Sequence, residues 1–241
     1  MSALLEVKGI SKRFRGLVAV DNVSFDVTQG TIFALIGPNG AGKTTVFNMI
    51  AGEFAPSGGT ITFDGQRIDG LTPDRICQRG IGRTFQIVKP FMALTVEENV
   101  IIGALLRRES VDEAREHARG VMRRLELYDK RNQVASGLTL PDRKRLEVAR
   151  ALATDPKLLL LDEVMAGLRP SETVRIVNTL RDLNRETGIT ILLIEHVMQA
   201  VMALAQEILV LHHGAAIAQG KPEQVVREPA VISSYLGAEA I

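Results

Sequence analysis

The stretch GPNGAGKTT, residues 37–45, decides the fold of this 241-residue chain. It follows the apolar run TIFALI (31–36) and opens a segment with helical spacing, 43–51. It fits G-x-x-x-x-G-K-[ST], a strand–loop–helix motif whose glycines let backbone N–H groups face a phosphate chain. Lys43 would reach the terminal phosphates and Thr44 would hold Mg²⁺. A plain glycine-rich turn is the alternative, and the complete motif in this context argues against it.

Apolar runs around this motif predict the fold class. Two runs, LLLLD (158–162) and TILLI (190–194), resemble the one before the motif, and helical patterns follow them at 171–187 and 197–204. Short continuous apolar strands suit the centre of a parallel sheet that is covered on both faces. Because strands and helices alternate along the chain, we expect an α/β layered core.

Alternating apolar and polar residues predict a second sheet, which is antiparallel: LLEV (4–7), VSFDV (23–27) and TITFD (60–64). From 95 to 153 the spacing is helical instead. One predicted helix there has a single apolar face formed by Val111, Ala114, Ala118, Val121, Met122 and Leu125.

We expect the chain to divide into two regions. Residues 1–87 and 153–241 would form the core with the antiparallel β subdomain, and residues 88–152 an inserted helical subdomain. The tail KPEQVVREPAVISSYLG (221–237) predicts two short helices, each with a proline near its start.

Charge and composition exclude several classes of protein. The net charge of +1 provides no strongly basic field to hold nucleic acid. The apolar runs are far shorter than the ~20 residues that span a bilayer, so we expect any membrane association to depend on a protein partner. A single cysteine, Cys77, allows no disulfide within the chain, which suits a reducing compartment.

Two carboxylates end the apolar strand LLLLDE (158–163). Asp162 would bind Mg²⁺, directly or through water, and Glu163 would polarise an attacking water as a general base. Acidic residues at strand ends often only cap the next helix. The assignment of catalytic roles to these two carboxylates therefore depends on the presence of the phosphate-binding loop in the same chain.

Three single residues are weaker candidates. His196 follows the run TILLIE and would reach a γ-phosphate if its strand lies beside LLLLDE. Gln86, taken alone, is a polar loop residue, and an isolated Phe14 is more often a core residue than a base-stacking one. Four residues lack the spacing of metal ligands, and no metal is assigned to them: Cys77, His117, His212 and His213.

The segment GLTLPDRKRLEVAR (137–150) raises a question of charge. It resembles a helix start, with Thr139 before Pro141, yet three cations lie in the first turn at 143–145. The N-terminal end of a helix is already positive, so cations there are unfavourable. Either these side chains simply point into water, or an anion binds at this end of the helix.

Taken in order, these motifs resemble the nucleotide-binding subunit of an ATP-binding cassette (ABC) transporter. The resemblance covers nearly the whole chain and implies a P-loop NTPase core that uses ATP and Mg²⁺. GPNGAGKTT matches the Walker A loop, LLLLDE the Walker B strand and AGLRP (166–170) the D-loop. Phe14 falls at the adenine-stacking position, Gln86 at the Q-loop, Glu163 at the catalytic glutamate and His196 at the switch histidine.

This resemblance assigns roles to individual residues. The implied catalytic residues are Glu163, His196, Lys43 and Gln86. The implied metal-binding residues are Thr44, Gln86 and Asp162. The implied nucleotide-binding residues are Phe14, Gly37, Pro38, Asn39, Gly40, Ala41, Gly42, Lys43, Thr44, Thr45, Thr139 and Asp142.

Several segments look like the branched-chain, or hydrophobic, amino acid uptake group: RTFQIVKPFMALTVEENV, RLEVARAL, DEVMAGLRPSE and VREPAVISSYLG. GRTFQ resembles one of two non-identical ATPase subunits that pair with each other. The implied partners are a second ATPase subunit, two membrane permeases and, indirectly, a periplasmic solute-binding protein, with no nucleic acid. The implied location is the cytoplasmic face of the inner membrane.

The chain departs from the family at the signature, which is usually LSGGQ. Counting back from RLEVARAL, that slot holds residues 138–142, LTLPD. In the family this helix points its N-terminus at the γ-phosphate bound to the opposite subunit, so a positive helix end suits an incoming anion. Thr139 would offer a hydroxyl, and Asp142 would reach ribose hydroxyls or screen the neighbouring cations. A second departure, Val164 where proline is common, is expected to have little effect.

Two other functions fit parts of the pattern. A nucleic-acid-linked ABC ATPase would usually carry a coiled-coil or basic insertion, and the near-zero net charge argues against it. A P-loop kinase or GTP-binding switch would need a substrate pocket and lid in place of Gln86, the signature slot and His196. An ATPase that drives amino acid import is the leading hypothesis.

Overall fold

The computed structural model describes residues 2–86 and 89–236. The strands in these ranges are β1 (Ala3–Phe14), β2 (Leu17–Thr28), β3 (Ile32–Ile36), β4 (Gly58–Phe63), β5 (Gln66–Arg67), β6 (Ile81–Arg83), β7 (Leu158–Asp162), β8 (Thr190–Ile194), β9 (Glu207–His212) and β10 (Ala215–Gly220). The helices are α1 (Lys43–Ile50), α2 (Pro73–Arg79), α3 (Val96–Ala104), α4 (Val111–Arg124), α5 (Leu140–Leu152), α6 (Pro170–Thr187), α7 (Met198–Leu204), α8 (Pro222–Val225) and α9 (Pro229–Leu236).

The central sheet has the strand order β10-β9-β3-β8-β7-β6. The strands from β9 to β6 are parallel to their neighbours, and β10 adds an antiparallel edge. Successive residues of β8 enter different cores: Ile191 and Leu193 pack towards the helices, and Leu192 and Ile194 towards the second sheet. This burial on both faces explains the continuous apolar runs and confirms the predicted α/β core.

The second sheet has the order β2-β1-β4-β5 and is antiparallel throughout. It lies over the other face of the central sheet, with the apolar side chains of α1 in the same core. The α1 helix, which begins at Lys43, is therefore fixed between two sheets.

The segment from Val96 to Leu152 is helical, with two 3-10 turns at 128–130 and 135–137. Thr95 caps α3 in a reciprocal capping box with Glu98. The predicted apolar face of α4 is buried except at Val111, which is 52% exposed. That assignment needs correction because Val111 lies in the first turn of α4, outside the buried stripe. The proposed boundaries of the helical subdomain, 88 and 152, stay a prediction.

Four strands lie outside the predicted set: β5, β6, β9 and β10. In the tail, α8 and α9 each begin at a proline, as the sequence predicts. Among the described residues, none of the helices combines the length and the apolar character needed to cross a membrane.

Candidate functional site

The glycine-rich loop after β3 is held where only glycine fits. Gly37 and Gly42 have φ values of 147° and 99°. A Cβ on Gly37 would lie 2.1 Å from the backbone oxygen of Leu211, and one on Gly42 would lie 2.5 Å from that of Ala19. The loop thus passes close to neighbouring backbone and leads into α1 with a turn that faces outward.

Lys43, the first residue of α1, is buried beneath this loop. Its Nζ atom donates to the backbone oxygens of Gly37 at 2.8 Å and Pro38 at 2.9 Å. Burial lowers the pKa of Lys43, and the negative charges of Glu163 and Asp162 oppose that shift. The ammonium group therefore lies inside the loop, within reach of any anion that the loop binds.

A cavity of about 440 Å³ opens over the loop. Its lining brings together residues from separate parts of the sequence: Leu17, Val18, Ala19, Asn39, Gly40, Ala41, Gly42, Lys43, Thr44, Thr45, Gln86, Glu163, His196, His213 and Gly214. A cavity of this size can accommodate most of a nucleotide. Of the predicted nucleotide-binding residues, those from Asn39 to Thr45 line it directly.

Three predicted catalytic side chains meet at one wall of this cavity. Nε2 of Gln86 donates to Oε2 of Glu163 at 2.9 Å. Nε2 of His196 lies 2.8 Å from Oε1 of the same carboxylate. Strands β7 and β8 are adjacent, and their register pairs Asp162 with Ile194. The residues that follow the two strands consequently face the same space.

Asp162 is a suitable ligand for a divalent cation. It is 1% exposed, and its Oδ1 atom has no hydrogen-bond partner within residues 2–86 and 89–236. Oδ2 lies 3.7 Å from Nη2 of Arg83. Burial raises the pKa of Asp162, so a nearby cation would stabilise the ionised form. Mg²⁺ prefers oxygen ligands. Thr44 and Gln86 line the cavity, whereas Asp162 is not among its lining residues and lies next to Glu163, which is. The role of Asp162 as a metal ligand stays a prediction.

Phe14 is not among the residues that line the cavity. Its ring packs edge-on against Phe54 at 5.2 Å, and the Lys12 ammonium lies 5.3 Å from its centroid. It remains 42% exposed. Leu17 and Val18 from the start of β2 line the cavity wall instead. The role of Phe14 in adenine stacking stays a prediction.

The acidic end of the segment 138–142 is enclosed within the chain. Asp142, predicted to reach ribose hydroxyls or to screen the neighbouring cations, is 4% exposed and forms an ion pair with Lys130. Its Oδ2 atom accepts from the Thr139 hydroxyl at 2.7 Å, and Oδ1 lies 3.5 Å from Nη1 of Arg145. Burial alone would raise the pKa of Asp142, but these neighbours hold it below its ordinary value. A carboxylate so enclosed is a cation partner inside the chain. This favours the screening role over contact with ribose, which stays a prediction.

The three cationic side chains after Asp142 contact three different groups within the chain. Nη2 of Arg143 donates to the backbone oxygen of Ser136 at 2.8 Å. Arg145 lies 3.2 Å from the carboxylate of Glu126. Lys144 turns inwards, and its Nζ donates to the backbone oxygen of Glu163 at 2.9 Å. Lys144 and Arg145 are thus directed into the chain, whereas Arg143 contacts a neutral carbonyl oxygen. Binding of an anion at this helix end stays a prediction.

The exposed part of the slot is small. Thr139 precedes α5 as its cap residue, Leu140 is 44% exposed, and Pro141 is the second residue of the helix. The surface at this helix end consists of a hydroxyl, an apolar side chain and backbone groups.

Sequence reasoning missed several residues at the site. His213 lines the cavity from the turn between β9 and β10, with a left-handed φ of 47°. The Glu195 carboxylate, 2% exposed, accepts from the backbone N–H of Met165 at 2.9 Å. Burial raises the pKa of Glu195 to about 7. For Glu195, the one hint in the sequence is that a charged residue lies beside His196 at the end of a strand.

Comparisons with known proteins agree with this geometry. The family model described as ABC transporter matches residues 20–166, more than half of the chain, and the model described as branched-chain amino acid ATP-binding cassette transporter matches residues 217–241. The high-affinity branched-chain amino acid transport ATP-binding protein LivG of Salmonella typhimurium is 41% identical over 97% of this chain and 98% of its own length.

Solved structures give the same result. The ADP conformation of an ATP-binding cassette from an ABC transporter has a TM-score of 0.89 and 31% identity, covering 98% of this chain and all of that one. A dimeric post-hydrolysis ATP-binding cassette bound to ADP and phosphate has a TM-score of 0.82 and 25% identity, covering 90% and 98%. The fold, the cavity and the sequence matches lead to one conclusion: the chain belongs to the ATP-binding cassette (ABC) transporter family.

Proposed function

We propose that this chain is the ATP-hydrolysing subunit of an importer for branched-chain or other hydrophobic amino acids. The observation that carries the proposal is the Glu163 carboxylate, held between Gln86 and His196 at the wall of a cavity formed by the glycine-rich loop. The reaction would be ATP and water to ADP and phosphate.

The residues of the loop would bind the phosphates. Backbone N–H groups from Gly40 to Thr45 would donate to phosphate oxygens, and the Lys43 ammonium would exchange its contacts with Gly37 and Pro38 for the β- and γ-phosphates. Thr44, Asp162 and Gln86 would hold Mg²⁺, which when bound neutralises charge that develops on the phosphates. Favourable electrostatics in a site shielded from water would then lower the barrier.

Glu163 would act as the general base for the attacking water. In this arrangement Gln86 contacts one oxygen of the carboxylate and His196 the other, so both compete with a water for it. Catalysis would therefore require Gln86 or His196 to turn from Glu163 towards the water or the γ-phosphate. Both side chains lie within hydrogen-bonding distance of the carboxylate, so a small rotation would suffice.

The second half of the reaction site would come from a partner. The N-terminus of α5, with Thr139, would face the γ-phosphate bound to a second, non-identical ATPase subunit. The dimeric relative supports such pairing. Two membrane permeases and a periplasmic solute-binding protein would complete the importer at the cytoplasmic face of the inner membrane. The transport name of the LivG relative supports this assignment over a nucleic-acid-linked ATPase.

The test is ATP hydrolysis by the chain after purification together with the permeases and the partner ATPase. Wild-type complex should hydrolyse ATP in a Mg²⁺-dependent way and faster when its amino acid is supplied. Lys43→Ala should raise the Kd for ATP, because it removes a cation that contacts the phosphates. Copurification with nucleic acid, or phosphate transfer to a small metabolite in place of hydrolysis, would contradict the proposal.

A further inference from the structure

Lys144 joins three separate parts of the candidate site from inside the protein. The residue is 5% exposed, although it is only the fifth residue of α5. Its Nζ donates to the backbone oxygen of Glu163 at 2.9 Å and to that of Gln86 at 3.3 Å. Both acceptors belong to residues whose side chains meet in the cavity. A helix of the helical region is thereby connected to the strand end that carries the general base.

The turn that Lys144 contacts is conformationally strained. Glu163 has a φ of 49°, in the left-handed region that is unfavourable for a residue with a side chain. Such a conformation persists only where the surrounding structure holds it. The N–H of Glu163 donates to the oxygen of Ile194 at 2.9 Å, and the N–H of Met165 donates to Oε1 of Glu195 at 2.9 Å. Lys144 supplies a third contact, on the Glu163 carbonyl.

The buried charge of Lys144 has a counterpart in Glu195. Burial lowers the pKa of Lys144, and the carboxylates of Glu195 and Glu163 oppose that shift. Glu195 is itself buried beside the same turn. Each of the two residues holds one backbone group of the turn: Lys144 the carbonyl of Glu163, and Glu195 the N–H of Met165.

We infer that Lys144 is a positioning residue for ATP hydrolysis, acting through the backbone of Glu163. Its ammonium group fixes the left-handed turn so that the Glu163 carboxylate lies between Gln86 and His196. This inference rests on the proposed role of Glu163 as general base. It gives Lys144 a function within its own subunit, separate from the role proposed for the N-terminus of α5 towards the partner.

The test compares Lys144→Met with Lys157→Met in the assembled complex. Lys157 lies far from the cavity and pairs with Asp64 on the surface, so its variant controls for the loss of a lysine. Lys144→Met should lower kcat for ATP hydrolysis by about 10- to 100-fold, because small displacements of a reacting group cost that much. The KM for ATP should stay within about threefold of the wild-type value. An unchanged kcat, or a rise in KM that accounts for the loss, would overturn the inference.

A second variant separates positioning from folding. Lys144→Met leaves Glu195 as an uncompensated buried charge, which alone can be destabilising. The double variant Lys144→Met/Glu195→Gln removes both charges and keeps an acceptor for the Met165 N–H. Slow hydrolysis by a stably folded double variant would support the inference. Recovery of wild-type kcat in the double variant would show that Lys144 serves stability only. If the wild-type complex hydrolysed no ATP, the proposed function would fail, and this inference with it.

Discussion

Nε2 of His196 lies 2.8 Å from Oε1 of Glu163, although the two residues are 33 positions apart in the sequence. The distance follows from the sheet, because β7 and β8 are adjacent and parallel and end at the same edge. The proposed general base and the residue at the predicted switch position are therefore brought together by the pairing of adjacent strands. The geometry makes Glu163 the centre of the site and leads to the following predictions.

The surface of the signature slot can be tested at Thr139. Thr139→Arg should lower ATP turnover of the complex by about tenfold or more, because a long cation at the cap position of α5 would obstruct closure on the partner subunit. ATP binding to the isolated chain should be unchanged, since the glycine-rich loop is untouched. Thr139→Ser retains the hydroxyl that donates to Asp142 and is the matched control. Unchanged turnover in Thr139→Arg would show that this surface faces no nucleotide.

The adenine contact can be assigned by comparing two neighbouring positions. Phe14→Ala should raise the Kd for ATP by about fivefold or more, because stacking of a base on an aromatic ring contributes about 1–3 kcal/mol. Leu17→Ala should have a smaller effect, since Leu17 offers no ring although it lines the cavity. Equilibrium binding of a fluorescent ATP analogue measures both. A larger effect at Leu17 would place the base at the start of β2, away from Phe14.

Coupling to transport can be tested at Phe91. Phe91 and Met92 are 45% and 43% exposed in the segment after the Q-loop, and the Arg150 guanidinium lies 4.8 Å from the Phe91 ring. They either cap the helical region or lie near a groove that receives a permease helix. We predict the second, so Phe91→Asp should abolish amino acid uptake in vesicles while ATP binding stays intact.

Val111→Asp is the matched control for this experiment, because Val111 is also exposed and the change in charge is the same. It should leave uptake unchanged. Loss of folding in Phe91→Asp, measured by circular dichroism, would favour the capping role and contradict the prediction.

Glu195 should make stability depend on pH. Burial, together with the nearby Glu163 charge, raises its pKa from 4.5 to about 7, although backbone N–H groups of Met165 and His196 and the Lys144 charge act in the opposite direction. The folded state then holds this proton more tightly than the unfolded state. The resulting stability is full below about pH 4.5 and is lost as pH rises through about 7.

Glu195→Gln should remove this dependence. Between about pH 5 and pH 8 the wild-type free energy of unfolding should fall more than that of the variant, by up to about 3 kcal/mol. Chemical denaturation at both pH values measures the difference, and other titrating groups are common to the two proteins. Parallel pH dependences would show that Glu195 is ionised throughout this range.

Much of the fold could be predicted from local sequence. The runs LLLLD and TILLI are strands because every position is buried, on alternate faces of one sheet. The strands β9 and β10 were harder to predict from the sequence. Although EILVLH has an apolar run, AAIAQG has small side chains and weak alternation, so the hairpin between them lacked a clear pattern. Its turn nevertheless brings His213 to the cavity.

The directions of long side chains could not be predicted. In 143–145 three adjacent cations occupy one helical turn, and helical geometry alone separates them by about 100° each. Which of them meets the Glu163 carbonyl depends on how α5 packs against β7, a contact between distant segments. The same holds for Asp142, whose burial depends on Lys130 from the 3-10 turn at 128–130. The motifs identified the site, and tertiary packing determined the roles of its neighbours.

The most direct test of the account is ATP turnover by the complex that carries Glu163→Gln. The amide keeps the size of the side chain but is not a base, so the variant should bind Mg-ATP with wild-type affinity and lose about 10²–10⁴-fold in turnover. Asp162 and Lys43 remain in place, which keeps the binding site intact. Wild-type turnover by Glu163→Gln, with ATP bound normally, would show that Glu163 is not the general base.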